Sequence, residues 1–447
     1  MIAAAPSNDS PDSGAAASGA AAGVPGAGMA LGLLLAINLF NYIDRFVLAA
    51  VEPEIRETLL LARDPEDPNV KAKMGLLSTA FMVSYMLTAP VFGFLAERAS
   101  RWLLIAIGVA LWSLASGASG LAGSFGVLLA TRCLVGVGEG AYGPVAPTLL
   151  SDFYPVAKRG RVLALFYVAI PVGSALGFVL GGLVAHWNPA AESWRWAFYL
   201  VVVPGLLLGL WAVLMREPRR GAADRVTQTR RATLREYLIL LRTRSYVLNT
   251  MGMTAMTFAI GALAFWMPAF LKEREVPPLW GVQPVPLFGA ITAVAGLLAT
   301  LAGGVAGDAL RERIRGSYFI VSGAGLCLGV PCALAFLVTP FPMAWVFVFL
   351  AEFFVFFNTG PSNAILANVT HPAMRATGFA LNILVIHILG DAISPFVIGA
   401  IADRSSLDAG FLVVSLFMLL GGVIWLLGAP HLDRDTAAAP RHLEGTS

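Results

Sequence analysis

The sequence predicts an all-α integral membrane protein of twelve transmembrane helices, arranged as two six-helix pseudo-repeats. Three observations carry that expectation: a scarcity of charge, a series of long apolar runs, and short motifs that recur in both halves. Hydrophobic residues make up 57% of the 447 positions and charged residues only 13%, against roughly 25% charged in an ordinary soluble domain. A soluble chain of this length has too few charges to cover its surface. A chain immersed in lipid does not need them. The net charge of +3 is too small to point to nucleic acid.

Runs of about 20 apolar residues are long enough to cross the hydrocarbon core. They are read at 29–50, 73–95, 102–121, 125–149, 162–186 and 195–215, and again at 246–271, 285–308, 317–338, 342–368, 377–401 and 409–430. Residues 1–28 are rich in Ala, Gly, Ser and Pro and lack a basic start, which predicts a disordered tail and no signal peptide. The first six runs form one half, 29–215. The interval 216–244, with nine basic and three acidic residues, predicts a linker with a short amphipathic helix; it is either simply solvated or a docking strip for anionic lipid. The second half is 245–430, followed by a tail over 431–447.

Charge placement gives the orientation. With the N-terminus cytoplasmic, inner loops and tails collect 20 of the 30 basic residues and outer loops 8. The positive-inside rule then predicts both termini on the cytoplasmic side of the plasma (inner) membrane. Cys133, Cys327 and Cys332 all fall inside spans, with no disulfide or metal spacing, and read as packing residues. The histidines form no ligand cluster. The expectation is a protein with no metal, no cofactor and no enzymatic activity.

The repeat supports two halves. Gly173-Ser174-Ala175-Leu176-Gly177 in the fifth run corresponds to Gly390-Asp391-Ala392-Ile393-Ser394 in the eleventh, and at the same offset Pro155 and Lys158 correspond to Pro372 and Arg375. Gly93-Phe94-Leu95-Ala96-Glu97 after the second run corresponds to Gly304-Val305-Ala306-Gly307-Asp308 after the eighth. Two parallel six-helix halves around a central site are the plan of carriers that work by alternating access. Gly173, Gly177 and Gly181 repeat every fourth residue, a spacing that serves close helix packing or a sliding contact equally well.

Ionisable residues inside spans cost roughly 2.5–3.5 kcal/mol each and tend to be functional or tightly paired. The first run carries Asn41, Asp44 and Arg45. Asp44 and Arg45 point about 100° apart on a helix, so a purely local pair is disfavoured. They either face a cavity or snorkel to the interface. The fourth run carries Arg132 and Glu139, seven residues apart on one face. Arg132 offers a planar, permanently charged fork suited to carboxylate or phosphate. Glu139, among Gly136, Gly138 and Gly140, reads as a carboxyl that cycles its proton, or as a member of a static structural pair. Glu352 in the phenylalanine-rich tenth run needs a proton or a partner from another helix. His387 and Asp391 share a helix face in the eleventh, where a histidine is either a hydrogen-bonded core residue or a proton carrier. At the ends of spans, Glu97, Arg98, Arg101 and Asp308 read as topology signals or as a charge latch on an inner gate.

The stretch Gly93-Phe94-Leu95-Ala96-Glu97-Arg98 with Arg101 resembles the loop 2–3 signature of the major facilitators, with Glu97 where Asp is usual. A more specific set is Asn41-Tyr42-Ile43-Asp44-Arg45, 132–140 with Tyr142 and Pro147-Thr148, 261–266 with Pro268, Ala351-Glu352, and His387-Ile388-Leu389-Gly390-Asp391 with Ser394-Pro395. Together these are similar to the spinster family of the major facilitator superfamily, whose members export sphingolipid signals or lysophospholipids. The resemblance runs from the first span to the eleventh and omits the tail and linker.

It implies a major facilitator fold and roles in substrate handling and proton coupling for Asp44, Arg45, Arg132, Glu139 and Glu352. The expectation is a monomeric, proton-coupled secondary transporter of a lysophospholipid or sphingolipid-like amphipath. Arg45, Arg132, Asn41 and Glu352 bind substrate, and Asp44, Glu139, His387 and Asp391 exchange protons. A multidrug or small organic-anion exporter is the alternative. A channel would require a continuous polar path, and a non-transporting receptor would leave the intramembrane carboxylates unexplained.

Overall fold

The computed structural model describes residues 25–96, 98–154, 162–163, 165–185, 192–219, 234–311, 313–371 and 375–439. The first half is built from α1 (Ala27–Ala50), α2 (Val70–Ala96), α3 (Arg101–Gly120), α4 (Phe125–Gly140), α5 (Val145–Phe153), α6 (Ala169–Ala185) and α7 (Trp194–Leu214). The linker contributes α8 (Leu234–Arg242). The second half comprises α9 (Arg244–Glu273), α10 (Pro284–Arg311), α11 (Ser317–Val338), α12 (Ala344–Phe356), α13 (Thr359–Val369), α14 (Arg375–Ile386), α15 (Ser394–Arg404) and α16 (Leu407–Gly428), with α17 (Leu432–Ala438) after it. Among the described residues, eleven stretches are long and apolar enough to cross a membrane. The fourth run, divided between α4 and α5, is the twelfth.

Short connections are set by serine caps. Ser100, Ser124 and Ser406 each accept a hydrogen bond from a main-chain N–H in the first turn of α3, α4 and α16, answering donors that the helix leaves unpaired. Three runs that the sequence reads as continuous are broken. Each break carries a proline that cannot bond the carbonyl four residues back: Pro144 to Gly140, Pro361 to Phe357, and Pro395 to Asp391. Proline alone does not suffice, since Pro90, Pro204, Pro268 and Pro331 lie inside intact helices. Gly143 and Gly360 directly precede two of these prolines and lower the cost of leaving the helical path, although Gly205 beside Pro204 breaks nothing. At the third break the chain winds as a π turn over His387–Asp391, a local widening that redirects side chains.

The two halves meet along α2 with α15, and α6 with α10. Both seams lie toward the end that carries Glu52, Arg56 and Lys71. One apolar cluster spans the halves there, joining Ile43, Val47 and Phe178 to Phe258, Trp266 and Phe288. Phe178 meets Phe288 edge to face, centroids 5.1 Å apart. The other cluster, around Trp102, Trp112, Tyr142 and Phe153, belongs to the first half except for Ala392. Outward faces stay apolar, for example Leu207, Leu210, Val213 and Leu214 on α7. An exposed apolar surface of this kind is explained by lipid.

Gly173, Gly177 and Gly181 pack against Tyr42, Ile43 and Ala50 of α1, within one half. Close packing accounts for the stripe. The residues facing the other half are Ala175, Phe178 and Gly182. In the linker, Leu240 is buried while Leu238 and Leu241 are exposed. The region expected as a plain tail begins with α17, whose Asp435 accepts the Ser245 N–H at 2.8 Å and so caps the start of α9.

Candidate functional site

Charges from two helices of the first half, α1 and α4, converge in its interior with hydroxyls from a third, α3. Arg45 Nε donates to Glu139 Oε2 at 2.6 Å, linking α1 to α4, and the Glu139 side chain is fully buried. The guanidinium also lies over the rings of Tyr42, Phe81 and Tyr85, 5.0–5.2 Å from their centroids. Such contacts stabilise a cation that has lost its water. Asp44 points elsewhere, as the helical offset requires, and accepts from the Ser116 hydroxyl of α3. Arg132 donates from Nε and Nη2 to Ser119 Oγ at 3.2 and 2.7 Å and lies 5.1 Å from the centroid of Phe198. Arg132 and Glu139 share a face of α4 yet bind different partners.

Among the described residues, three buried polar atoms of this cluster lack a hydrogen bond of ordinary geometry: Asn41 Nδ2, Asp44 Oδ2 and Glu139 Oε1. Unpaired groups in an apolar interior are costly. Carboxylates in this condition hold lone pairs ready for a proton or a donor group.

The other residues singled out from sequence are placed differently. His387 Nδ1 stands 2.9 and 3.0 Å from the Asp391 carboxylate oxygens, on the π turn. That turn packs against α2, and Asp391 is within electrostatic range of Tyr85, the ring beside Arg45. Glu352 on α12 is buried, on a helix rich in phenylalanine where Phe353 meets Phe349, Phe354 and Phe357. Among the described residues it makes no hydrogen bond or ion pair. It is not brought into the first-half cluster.

Of the expected gate residues, Arg101 binds Asp152 of its own half at 2.6 Å and Glu217 at the start of the linker at 2.7 Å. Asp308 accepts from the Tyr318 hydroxyl at 2.7 Å, also within its half. Arg98 donates to the Phe94 carbonyl and stacks on that ring. Glu97 lies outside the described residues.

The described ion pairs that do join the halves are at the opposite end. Arg56 and Lys71 reach Glu273 at 3.0 and 3.1 Å, and Lys272 reaches Glu54 and Glu57 at 3.0 Å each. Asp403, at the end of α15, accepts the Lys71 and Ala72 N–H groups at 2.9 and 2.7 Å. A carboxylate from one half thus caps the N-terminus of α2 in the other, where the helix dipole favours negative charge. The sequence reading counts Arg56, Lys71 and Lys272 only as outer-loop charges and does not single out the carboxylates they meet. The available signal was the run Glu52, Glu54, Arg56, Glu57, followed by Lys272-Glu273 at the end of the seventh run. Ser116 and Ser119 were also passed over, although Ser113, Ser116 and Ser119 repeat every third residue in an otherwise apolar span.

Glu52 is buried at this sealed end and its carboxyl is pushed up to about 7, chiefly by burial; Arg56 and Lys71 oppose the shift, and Glu54 and Glu273 add to it. A solvated carboxyl titrates near 4.5, so closing this end takes up a proton between that value and about 7. Linkage makes the seal tighter as pH falls through about 7 and weaker as pH rises above it. A cysteine at Leu77, buried beneath the seal, should therefore react faster with an impermeant thiol reagent at about pH 8 than at about pH 6, after correction by an exposed control thiol. Glu52→Gln should remove that difference. A persistent difference in the variant would place the titrating group elsewhere.

The three cysteines are free, and no group of three or more His, Cys, Asp or Glu among the described residues is arranged to hold a metal ion.

The sequence profile of the Major Facilitator Superfamily matches residues 34–390. Spinster homolog 3 of Danio rerio is 35% identical over 442 residues, covering 92% of this chain and 86% of the relative. Spinster homolog 1 of Homo sapiens is 35% identical over 454 residues, covering 92% and 82%. Among solved structures, a bacterial homolog to the human lysosomal transporter spinster, in an inward-facing and unoccupied conformation, superposes with a TM-score of 0.80 at 21% identity, covering 93% of this chain and 99% of that one. A D-xylose-proton symporter superposes with a TM-score of 0.74 at 16% identity, covering 90% and 98%. At these identities the two structures speak for the fold alone. Sequence likeness over nearly the whole chain, on a fold of two six-helix halves, shows that this multi-pass membrane protein belongs to the spinster family of major facilitator transporters.

Proposed function

We propose that this protein is a proton-coupled secondary transporter that carries a single-chain lipid of the lysophospholipid or sphingolipid type by alternating access. The observation that carries the reading is the buried cluster of two arginines and two carboxylates, in which Arg45 is paired and Arg132 rests on a neutral hydroxyl. Arg132, with Arg45 and Asn41, receives the anionic head group. Asp44 and Glu139 exchange protons, and His387 with Asp391 extends the exchange to the second half. Glu352 contributes to substrate binding from the second half. The protein acts as a monomer in the plasma membrane with both termini cytoplasmic. On that orientation the sealed end is external, and the conformation faces the cytoplasm.

The deciding experiment is uptake into proteoliposomes of a panel of lysophospholipids, sphingoid phosphates and small organic anions, with and without a pH gradient. Saturable counterflow of a single-chain lipid, concentrated by the gradient, is the expected result. Transport of the organic anions alone would make the protein an exporter of that class instead. Orientation has a separate check: in intact cells, an impermeant thiol reagent should label a cysteine at Asn69 and spare one at Ala222. Equal labelling would overturn the topology.

A further inference from the structure

Asp44 and Arg132 are both buried and opposite in charge, yet they form no ion pair with each other. Each binds a hydroxyl of α3 instead. In a medium of low dielectric such ions attract strongly, so their separation needs a physical cause. Ser116 and Ser119 stand three residues apart and therefore side by side on α3. Ser116 donates to Asp44. Ser119 accepts from Nε and Nη2 of Arg132.

The polarity of this arrangement is fixed by chemistry. A guanidinium only donates, so Ser119 accepts from it and points its own proton away. Thr131 Oγ1 receives that proton at 2.8 Å and passes its own to the Leu128 carbonyl at 2.8 Å; the Ala115 carbonyl is a second acceptor for Ser119 at 3.0 Å. The bond chain runs from Arg132 to a helix carbonyl and leaves Asp44 outside it.

We infer that Ser119, assisted by Ser116, is a positioning residue that parks Arg132 on a neutral acceptor and so sets the affinity for the substrate's anionic group. The inference rests on the reading that Arg132 receives that group. An incoming anion displaces a neutral hydroxyl more easily than it displaces a carboxylate, because a bond between two charged groups is stronger than one with a neutral partner. Without Ser119, Asp44 is the opposite charge nearest to hand, with Oδ2 free to accept. Arg132 would then close onto it and compete with substrate.

The test uses the full chain in proteoliposomes, with lysophosphatidylglycerol bearing a fluorescent acyl chain as probe, and reads KM and kcat of counterflow separately. Ser119→Ala should raise KM roughly tenfold, the scale of one hydrogen bond to a charged group, with a much smaller change in kcat. Adding Asp44→Asn removes the competing carboxylate and should return KM toward wild type. Ser119→Thr keeps the hydroxyl and should keep KM. Ser119→Cys, which retains size but accepts poorly, repeats the test should the alanine variant fail to insert. An unchanged KM in Ser119→Ala, or a rise that Asp44→Asn does not reverse, overturns the inference. Arg132→Lys separates the two levels. If it abolishes probe binding while Ser119→Ala has no effect, only the positioning role fails; if it binds the probe as wild type does, the assignment of Arg132 fails as well.

Discussion

Asp44→Asn and Glu139→Gln should each abolish accumulation of substrate driven by a pH gradient, while substrate exchange across the membrane persists. Glu139 is fully buried and bound to Arg45 at 2.6 Å. A proton on Glu139 removes the charge that holds Arg45, and a substrate anion near Arg45 competes with Glu139 for it. On the proposed function, proton and substrate are thereby linked, since each alters the free energy of binding the other. A neutral amide cannot take part in that linkage. Removing one partner of a buried pair ordinarily costs about 3–5 kcal/mol. The loss here should be smaller, because glutamine keeps an acceptor for Arg45 and the rings of Tyr42, Phe81 and Tyr85 still surround it. Both variants are to be assayed in the same proteoliposomes for exchange and for concentrative uptake. Wild-type accumulation in both would remove these carboxylates from coupling and direct the test to Glu352 and Asp391.

Gly75→Val should hold the sealed end open and reduce turnover by more than an order of magnitude. A Cβ at Gly75 would stand 2.3 Å from the Pro395 carbonyl oxygen and 2.7 Å from the Phe396 Cα. These are backbone atoms of α15 and cannot swing aside as a side chain would. The helices must separate, and α2 with α15 is one of the two seams that close this end. Gly399 is the reciprocal site, with the Lys71 carbonyl 2.5 Å from its would-be Cβ. Shifting a two-state carrier almost completely to one state takes about 5.5 kcal/mol, and a carrier that cannot close cannot complete its cycle. The readout is labelling of a cysteine at Leu77 by an impermeant reagent, fast in Gly75→Val and slow in the parent. Slow labelling in both, with normal transport, would mean that the seam tolerates the added bulk.

Much of the fold is legible from residues alone, because the membrane simplifies the code. Twelve apolar runs can be counted since lipid leaves the backbone little choice but helix. Asp44, Arg45, Arg132 and Glu139 could be singled out for the same reason: a charge in an apolar run is conspicuous. Their partners were another matter. Arg132 and Glu139 are on one face of α4, yet Glu139 goes to Arg45 and Arg132 to Ser119. Which helix stands beside which is a property of the bundle, and a one-dimensional periodicity carries no record of it. The hydroxyls of α3 were overlooked because serine is cheap to place in a helix and carries no charge to draw notice.

The sequence by itself determined the membrane class, the two-half plan, the family and the set of buried charges, all of which follow from hydropathy, repeat and local motif. Only the tertiary structure decided where the spans break, which charges pair, and which end is sealed. Helices break at Pro144, Pro361 and Pro395 and run on through Pro90 and Pro204, a difference that the proline itself does not decide. The seal of Arg56, Lys71, Lys272, Glu273 and Asp403 joins residues about two hundred or more positions apart. On the proposed alternating-access cycle, such a contact exists only when the halves close at this end. It is a property of how the two halves pack, whereas hydropathy and local motif are properties of each run by itself.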